Sequence, residues 1–221
     1  RNVLEYIENT VERVPNKIAF ADERTQLTFR EFYDDIRAIG SALIEKSYAK
    51  EPVLIYMNKS PEALEAFFGV IESGNYYVPL DEEMPMHRIG LIIESTNAKV
   101  VICDKENLEN VSNLQFEGEV LLHSDLICNK INEEALVDVR RHAIDTDPIY
   151  VLFTSGSTGI PKGVVGHHRG VIDYIEQLSN VLMLDENSVF GNQAPLYFDA
   201  CMKEVYPTLK FGATTWLIPH E

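Results

Sequence analysis

Hydrophobic residues recur along this chain with two alternating periods. Leu4, Ile7, Val11 and Val14 fall three or four apart and predict an amphipathic helix over 2–14, closed by Pro15. Two strand-like runs follow, IAFAD and QLTF, on either side of a charged turn at Glu23 and Arg24. Thr28 and Glu31 have the spacing of a capping box, in which each side chain satisfies the other residue's backbone N–H at a helix start. They open a helix to about Lys46 with Phe32, Ile36, Ile39 and Leu43 along one stripe. PVLIYM (52–57) is uniformly apolar, as a strand covered on both faces is. Ser60 and Pro61 then supply an N-cap and a first-turn proline for a helix through Leu64, Phe67, Phe68 and Ile71 to Gly74.

The alternation continues. NYYVPL reads as a strand, Met86 to Ser95 as a helix, and KVVICD and VLLHSDLI as strands. Residues 104–119 and 129–147 are polar and read as variable loop or edge structure. Beyond Gly163 the pattern gives a helix over 168–183, a strand SVFGNQ, a helix from Ala200 to Leu209 and a last strand ATTWLIP. Trp216, Phe211 and the Tyr76–Tyr77 pair read as core or pocket wall. Strands alternating with helices predict an α/β fold with a largely parallel sheet. Without internal repeats or a Pro/Ser-rich linker, the chain reads as one folded unit.

The formal charge of −16, from 35 acidic and 19 basic residues, narrows the partners. Neither nucleic acid nor an anionic membrane is drawn to such a surface, whereas a local positive pocket for a small anion remains compatible with it. Cys103, Cys128 and Cys201 are odd in number, widely spaced and without metal-ligand spacing, which reads as free thiols in a reducing cytoplasm. No targeting signal or bilayer-length apolar run is present. A chain opening on Arg1 reads as a piece of something longer.

One stretch carries distinctive chemistry. YVLF (150–153) empties into Thr154, Ser155, Gly156, Ser157, Thr158 and Gly159, followed by Pro161, Lys162 and Gly163. Four hydroxyls, three glycines and a lysine suit a polyphosphate, because glycines let backbone N–H groups approach, hydroxyls donate and lysine neutralises. The stretch is not a Walker A loop, since Lys162 is followed by Gly163 and not by a hydroxyl, and Gly156-Ser157-Thr158-Gly159 does not fit the dinucleotide fingerprint.

TSGSTGIPKG resembles the signature loop of adenylate-forming enzymes: acyl-CoA synthetases, luciferases and the adenylation domains of nonribosomal peptide synthetases. Gln26 to Phe32 resembles the "LTYxEL" segment of the adenylation domains, Phe68 to Asp81 their "LKAGxAYVPIDP" motif, Met84 to Ile89 "YPxERI", and Phe198-Asp199-Ala200-Cys201 "FDxS". These motifs stand in the family's order and cover most of the chain. YVPLD favours amino-acid activation over fatty acyl-CoA synthesis, and D-alanine–carrier-protein ligases share the same motifs. Glu82 stands where the family has proline and Cys201 where it has serine. Nothing resembles the family's later segments, so the resemblance implies residues 1–221 are the N-terminal part of an adenylation (AMP-binding) domain.

The resemblance implies a reaction in two steps: an amino-acid carboxylate attacks the α-phosphorus of ATP to give aminoacyl-AMP and pyrophosphate, then the acyl group passes to a phosphopantetheine thiol on a peptidyl carrier domain. It implies that Thr154, Ser155, Gly156, Ser157, Thr158 and Gly159 embrace the β- and γ-phosphates, with Thr158 and Lys162 acting in catalysis and Gly156, Gly159 and Gly163 as hinges. Mg2+ is implied, its ligands mostly outside this segment. Asp199 would bind the substrate's α-ammonium group, against the alternative that it caps a helix. Ala200 and Lys203 would line the side-chain pocket. Lys203 suits an acidic substrate, or else pairs with a protein carboxylate or faces solvent. His167 and His168 make a poor metal pair because neighbouring side chains diverge; His168-Arg169 resembles the family's "HR" and implies a structural role at the helix start. The parent is expected to be a synthetase module, a D-alanine–carrier ligase or a stand-alone adenylating enzyme, and the non-enzyme alternative is a nucleotide-binding or interaction module. The segment alone is expected to lack adenylation activity.

Overall fold

The computed structural model describes residues 1–81, 83–154 and 161–219. Glu82 and Ser155, Gly156, Ser157, Thr158 and Gly159, on which the phosphate assignment falls, lie outside the described residues. The chain opens with α1 (Glu5–Arg13), the antiparallel pair β1 (Ile18–Ala21) and β2 (Gln26–Thr28), and α2 (Phe29–Glu45). Alternating units follow: β3 (Pro52–Tyr56), α3 (Pro61–Glu72), β4 (Tyr76–Leu80), α4 (Met86–Thr96) and β5 (Val100–Cys103). Next come α5 (Leu108–Asn113), β6 (Glu119–Leu122), α6 (His123–Leu126), α7 (Glu133–His142), β7 (Pro148–Thr154), β8 (Lys162–His167) and α8 (His168–Val181). The last elements are β9 (Val189–Asn192), a 3-10 turn (Asp199–Cys201), α9 (Met202–Phe211) and β10 (Thr214–Leu217).

The strands form two sheets, ordered β2-β1-β10-β9 and β6-β5-β3-β4-β7-β8. All pairings are parallel except β1 with β2 and β7 with β8. In β3 and β5, side chains alternate between two cores: Val53, Ile55, Val100 and Ile102 face the helices shared with the smaller sheet, while Leu54, Tyr56, Val101 and Cys103 face α4 and α5. That double burial explains the uninterrupted apolar run of β3.

The shared core runs through a chain of rings. Phe20 of β1 contacts Phe32 of α2 at 4.9 Å, Phe32 meets Phe68 of α3 at 5.7 Å, and the neighbouring Phe67 stacks on Tyr77 of β4 at 4.3 Å. This chain connects the two sheets across α2 and α3. Every residue of α3 except Glu62 is buried, as expected of a helix apolar on all sides. α2 and α3 cross closely enough that a Cβ on Gly69 would stand 2.5 Å from Ile39 Cβ.

Both predicted helix starts are made. The Thr28 side chain accepts from Glu31 N–H while Glu31 Oε2 accepts from Thr28 N–H, and Ser60 Oγ accepts from Ala63 N–H. Four sequence expectations need correction. VLLHSDLI is a strand only to Leu122 and then turns into α6, because His123 is drawn into the core beside Glu65, 2.9 Å from its carboxylate. The polar stretches expected as loop contain α5 and α7. α7 is capped by Asn132 and carries Glu133 and Glu134 in its first turn and Arg140, Arg141 and His142 in its last, matching the helix dipole. Lys162–His167, not anticipated as a strand, is the outermost strand of the larger sheet. Trp216 is 42% exposed rather than buried, since the alternation of β10 turns Thr215 and Leu217 inward.

Candidate active site

The hydroxyl-rich stretch lies between the two strands of a hairpin. β7 runs out from the core, β8 returns antiparallel, and Thr154 and Lys162 are the last facing pair before the loop. Thr154 Oγ1 donates to the Lys162 carbonyl at 3.4 Å, and both residues are exposed. Among the described residues, no carboxylate pairs with the Lys162 ammonium. Gly163 lies inside β8, where a Cβ would come within 2.7 Å of Val151. Its glycine therefore answers close packing within a regular strand, not the hinge expected from the sequence.

A second group of residues meets around a cavity of about 480 Å³. Asp199, Ala200 and Lys203, at the start of the last helical segment, form one wall, and Gly166, His167, Gly170 and Tyr174 of β8 and α8 another. Tyr150 also lines it; its ring lies across Gly166, its neighbour on β8, where a Cβ would stand 1.9 Å from the ring. Burial chiefly, and then the Asp199 charge, push the Tyr150 phenol upward.

Asp199 is exposed and begins the 3-10 turn, but neither that turn nor α9 receives a side-chain cap hydrogen bond. The helix-cap alternative is therefore not the arrangement adopted. Cys201 does a hydroxyl's work, donating from Sγ to the Phe198 carbonyl at 3.1 Å; burial pushes its thiol up to about 12, so it stays neutral. The loop before Asp199 is anchored by Lys59, whose ammonium donates to the Asn192 and Ile218 carbonyls, each at 2.9 Å. Lys203 points partly to solvent and lines the cavity, with Glu204 at 3.9 Å as its protein carboxylate.

The two histidines diverge as expected. His168 is buried, its Nδ1 accepts from Val3 N–H at 3.2 Å, and burial pulls its pKa down to about 4, so it is neutral and structural. His167 caps α8: its Nδ1 accepts from Gly170 N–H at 2.9 Å. Read from the sequence, His167 enters only as half of a metal pair and Tyr174 not at all; spacing could have grouped Gly170, Val171 and Tyr174 on one helix face, but not against Asp199.

A larger opening of about 900 Å³ lies at the carboxyl ends of strands from both sheets. Asp22, Glu62, Asp81, Asp104 and Glu106 are among the residues lining it, and they outweigh the cations there, the wrong sign for a triphosphate. Among the described residues, no group of three or more His, Cys, Asp or Glu side chains is placed to hold a metal ion, and no helix is long and apolar enough to cross a membrane.

Comparison with known proteins decides the family. The family model described as AMP-binding enzyme matches residues 7–221. The chain belongs to that family. Gramicidin S synthase 1 of Brevibacillus brevis is 31% identical over 220 residues, and the D-alanine–D-alanyl carrier protein ligase of Listeria innocua 32% identical over 222. Each alignment takes in 99% of this chain, which spans 20% of the synthase and 42% of the ligase. Among solved structures, the nonribosomal peptide synthetase FmoA3 superposes with a TM-score of 0.85 at 24% identity, covering 99% of this chain and 23% of that one. The Klebsiella oxytoca NpsA N-terminal subdomain gives 0.80 at 23%, covering 100% and 54%. The mixed α/β fold with mostly parallel sheets is thus that of the N-terminal subdomain of AMP-binding enzymes.

Proposed function

We propose that this chain is the N-terminal part of an amino-acid-activating adenylation domain, and that the 480 Å³ cavity receives the amino acid. The observation that carries the reading is the meeting of Asp199, Ala200 and Lys203 in one cavity, with the Asp199 carboxylate unused as a helix cap. A carboxylate there matches the α-ammonium group of an amino acid and selects against fatty acids, which lack it. Lys203, on the same side of the helix start, favours a substrate whose side chain ends in a carboxylate. That separates this reading from a D-alanine–carrier ligase, because a methyl side chain offers Lys203 no partner.

In the reaction, the substrate carboxylate oxygen bonds to the α-phosphorus of ATP and the bond to pyrophosphate breaks. A carrier phosphopantetheine thiol then attacks the acyl carbon, forming the thioester and releasing AMP. Two anions must meet in the first step, so charge screening and alignment dominate it. Thr154, Ser155, Gly156, Ser157, Thr158 and Gly159 are assigned to the β- and γ-phosphates, with Lys162 as a mobile point charge at the loop's base. Mg2+, when bound, would supply further neutralisation of the phosphates, and its ligands are assigned mostly to the rest of the parent. The carrier domain is a partner of the parent protein, and the cytoplasm its compartment. This segment alone is inactive in the proposal, for want of the ribose and metal ligands.

The test is ATP–pyrophosphate exchange by the full-length parent, run across the amino acids. Exchange dependent on an amino acid, weakened by Thr158→Val and by Lys162→Ala through the ATP KM, supports the reading. Exchange with no amino acid, or variants indistinguishable from wild type, overturns it. Exchange by the 221-residue segment alone overturns its proposed inactivity.

A further inference from the structure

We propose that His167 determines substrate specificity, donating a hydrogen bond from Nε2 to an oxygen on the amino-acid side chain. The inference rests on the cavity being the amino-acid site, and adds to it the residue that reads the side chain's far end together with Lys203.

Three observations carry it. First, the ring's tautomer is set by the fold. Nδ1 accepts from Gly170 N–H at 2.9 Å and so carries no proton in the capped state, which places the proton of the neutral imidazole on Nε2. With Nδ1 occupied as an acceptor, Nε2 is the ring atom left to donate. Second, His167 lines the cavity that Asp199 and Lys203 also line, whereas His168, one residue on, is buried and engaged with Val3 N–H. Third, the residues around the imidazole leave it half-buried and not enclosed. Gly166 and Gly170 both line the cavity without a side chain, and a Cβ on Gly170 would stand 3.1 Å from His167 Cε1.

The recognition chemistry is then divided among three groups. Asp199 takes the ammonium group common to all amino acids, Lys203 supplies a point charge, and His167 supplies a directed donor. A carboxylate side chain has lone pairs for both the ammonium and the imidazole N–H. An aliphatic side chain has none and leaves both donors desolvated without a partner, which is the stronger basis for discrimination. The class selected is an amino acid with a side-chain carboxylate.

The experiment uses the full-length parent with His167→Thr. Threonine is a good N-cap through Oγ1, so α8 keeps its start while Nε2 is removed. Asparagine caps through Oδ1, and His167→Asn is the second variant should threonine perturb folding. ATP–pyrophosphate exchange is measured with aspartate, glutamate, asparagine, glutamine and alanine, alongside the melting temperature and the KM for ATP. The expected result is a tenfold to hundredfold loss of kcat/KM for the acidic amino acids, on the order of one hydrogen bond between charged and neutral partners, carried by KM. Alanine, the ATP KM and the melting temperature stay as in wild type. An unchanged amino-acid profile, or an equal loss for all five, overturns the role of His167. Asp199→Ala separates the two proposals: if it abolishes exchange while His167→Thr is silent, the cavity reading stands and the His167 inference falls. If wild type exchanges with no amino acid, both fall.

Discussion

Glu65 and Asp199 are both carboxylates in helical segments, and their surroundings are opposite. Glu65 is 1% exposed on α3, with His123 Nε2 at 2.9 Å and Asp35 hydrogen-bonded to it. Burial pushes both carboxyls up to about 8, and lowers His123, so at neutral pH the cluster holds its protons and little net charge. Asp199 is exposed, caps nothing and stands at the rim of a cavity. A carboxylate inside a packed core is neutralised by its environment, while one at a cavity's edge is open to an incoming cation. The first belongs to stability and the second to recognition.

That division makes separable predictions. Asp199→Ala is expected to cost about a hundredfold in amino-acid-dependent exchange by the parent, as loss of one partner of a charge pair does. Its melting temperature should not move; a parallel loss of stability would erase the distinction. In the core the reverse holds. Gly69→Val drives a branched side chain against Ile39 and should cost about 1–3 kcal/mol of stability by urea denaturation, leaving the order of preferred amino acids as it was.

Glu65→Gln sharpens the contrast through pH. A carboxyl raised in the fold contributes stability in full below its ordinary value near 4.5, and loses it as pH rises through about 8. The variant should therefore gain stability relative to wild type, on the order of 1 kcal/mol, as pH climbs across that window. The readout is the difference between the two proteins, because His123, lowered from 6.5, acts in the opposite sense on the acid side. A flat difference from pH 5 to 8 would mean that Glu65 is ionised in the fold. The smallest effect is expected at Thr28→Ala, roughly 0.5–1 kcal/mol of chemical stability for one side of the capping box, with exchange unaltered.

How far the chain could be read in advance followed burial. β3, with Pro52 to Tyr56 all buried, and α2, with its apolar stripe and capping box, show their partners' demands in their own residues. β8 has no such signature: it is an edge strand, Val164 and Val165 are exposed, and its glycines answer Val151, Phe153 and Tyr150 across the hairpin. α7 was hidden by polarity, with Leu136 its one buried residue, although its charge distribution was a usable helix signal. The candidate site divides the same way. Asp199, Ala200 and Lys203 were accessible through a local motif, but His167 and Tyr174 join them only through the packing of α8 beside α9.

By itself, the sequence determined the alternating α/β plan, the helix starts at Thr28 and Ser60, and the pairing of a hydroxyl-rich loop with a downstream aspartate. Those depend on period, capping and local composition, all short-range properties. Only the tertiary structure decided that Glu65 is a core carboxyl, that His167 and His168 have different duties, and that Asp199 is left unused as a helix cap beside a cavity. Each of these depends on which surfaces meet after the chain has folded, and a carboxylate or an imidazole carries no mark of its future neighbours in its own residue type.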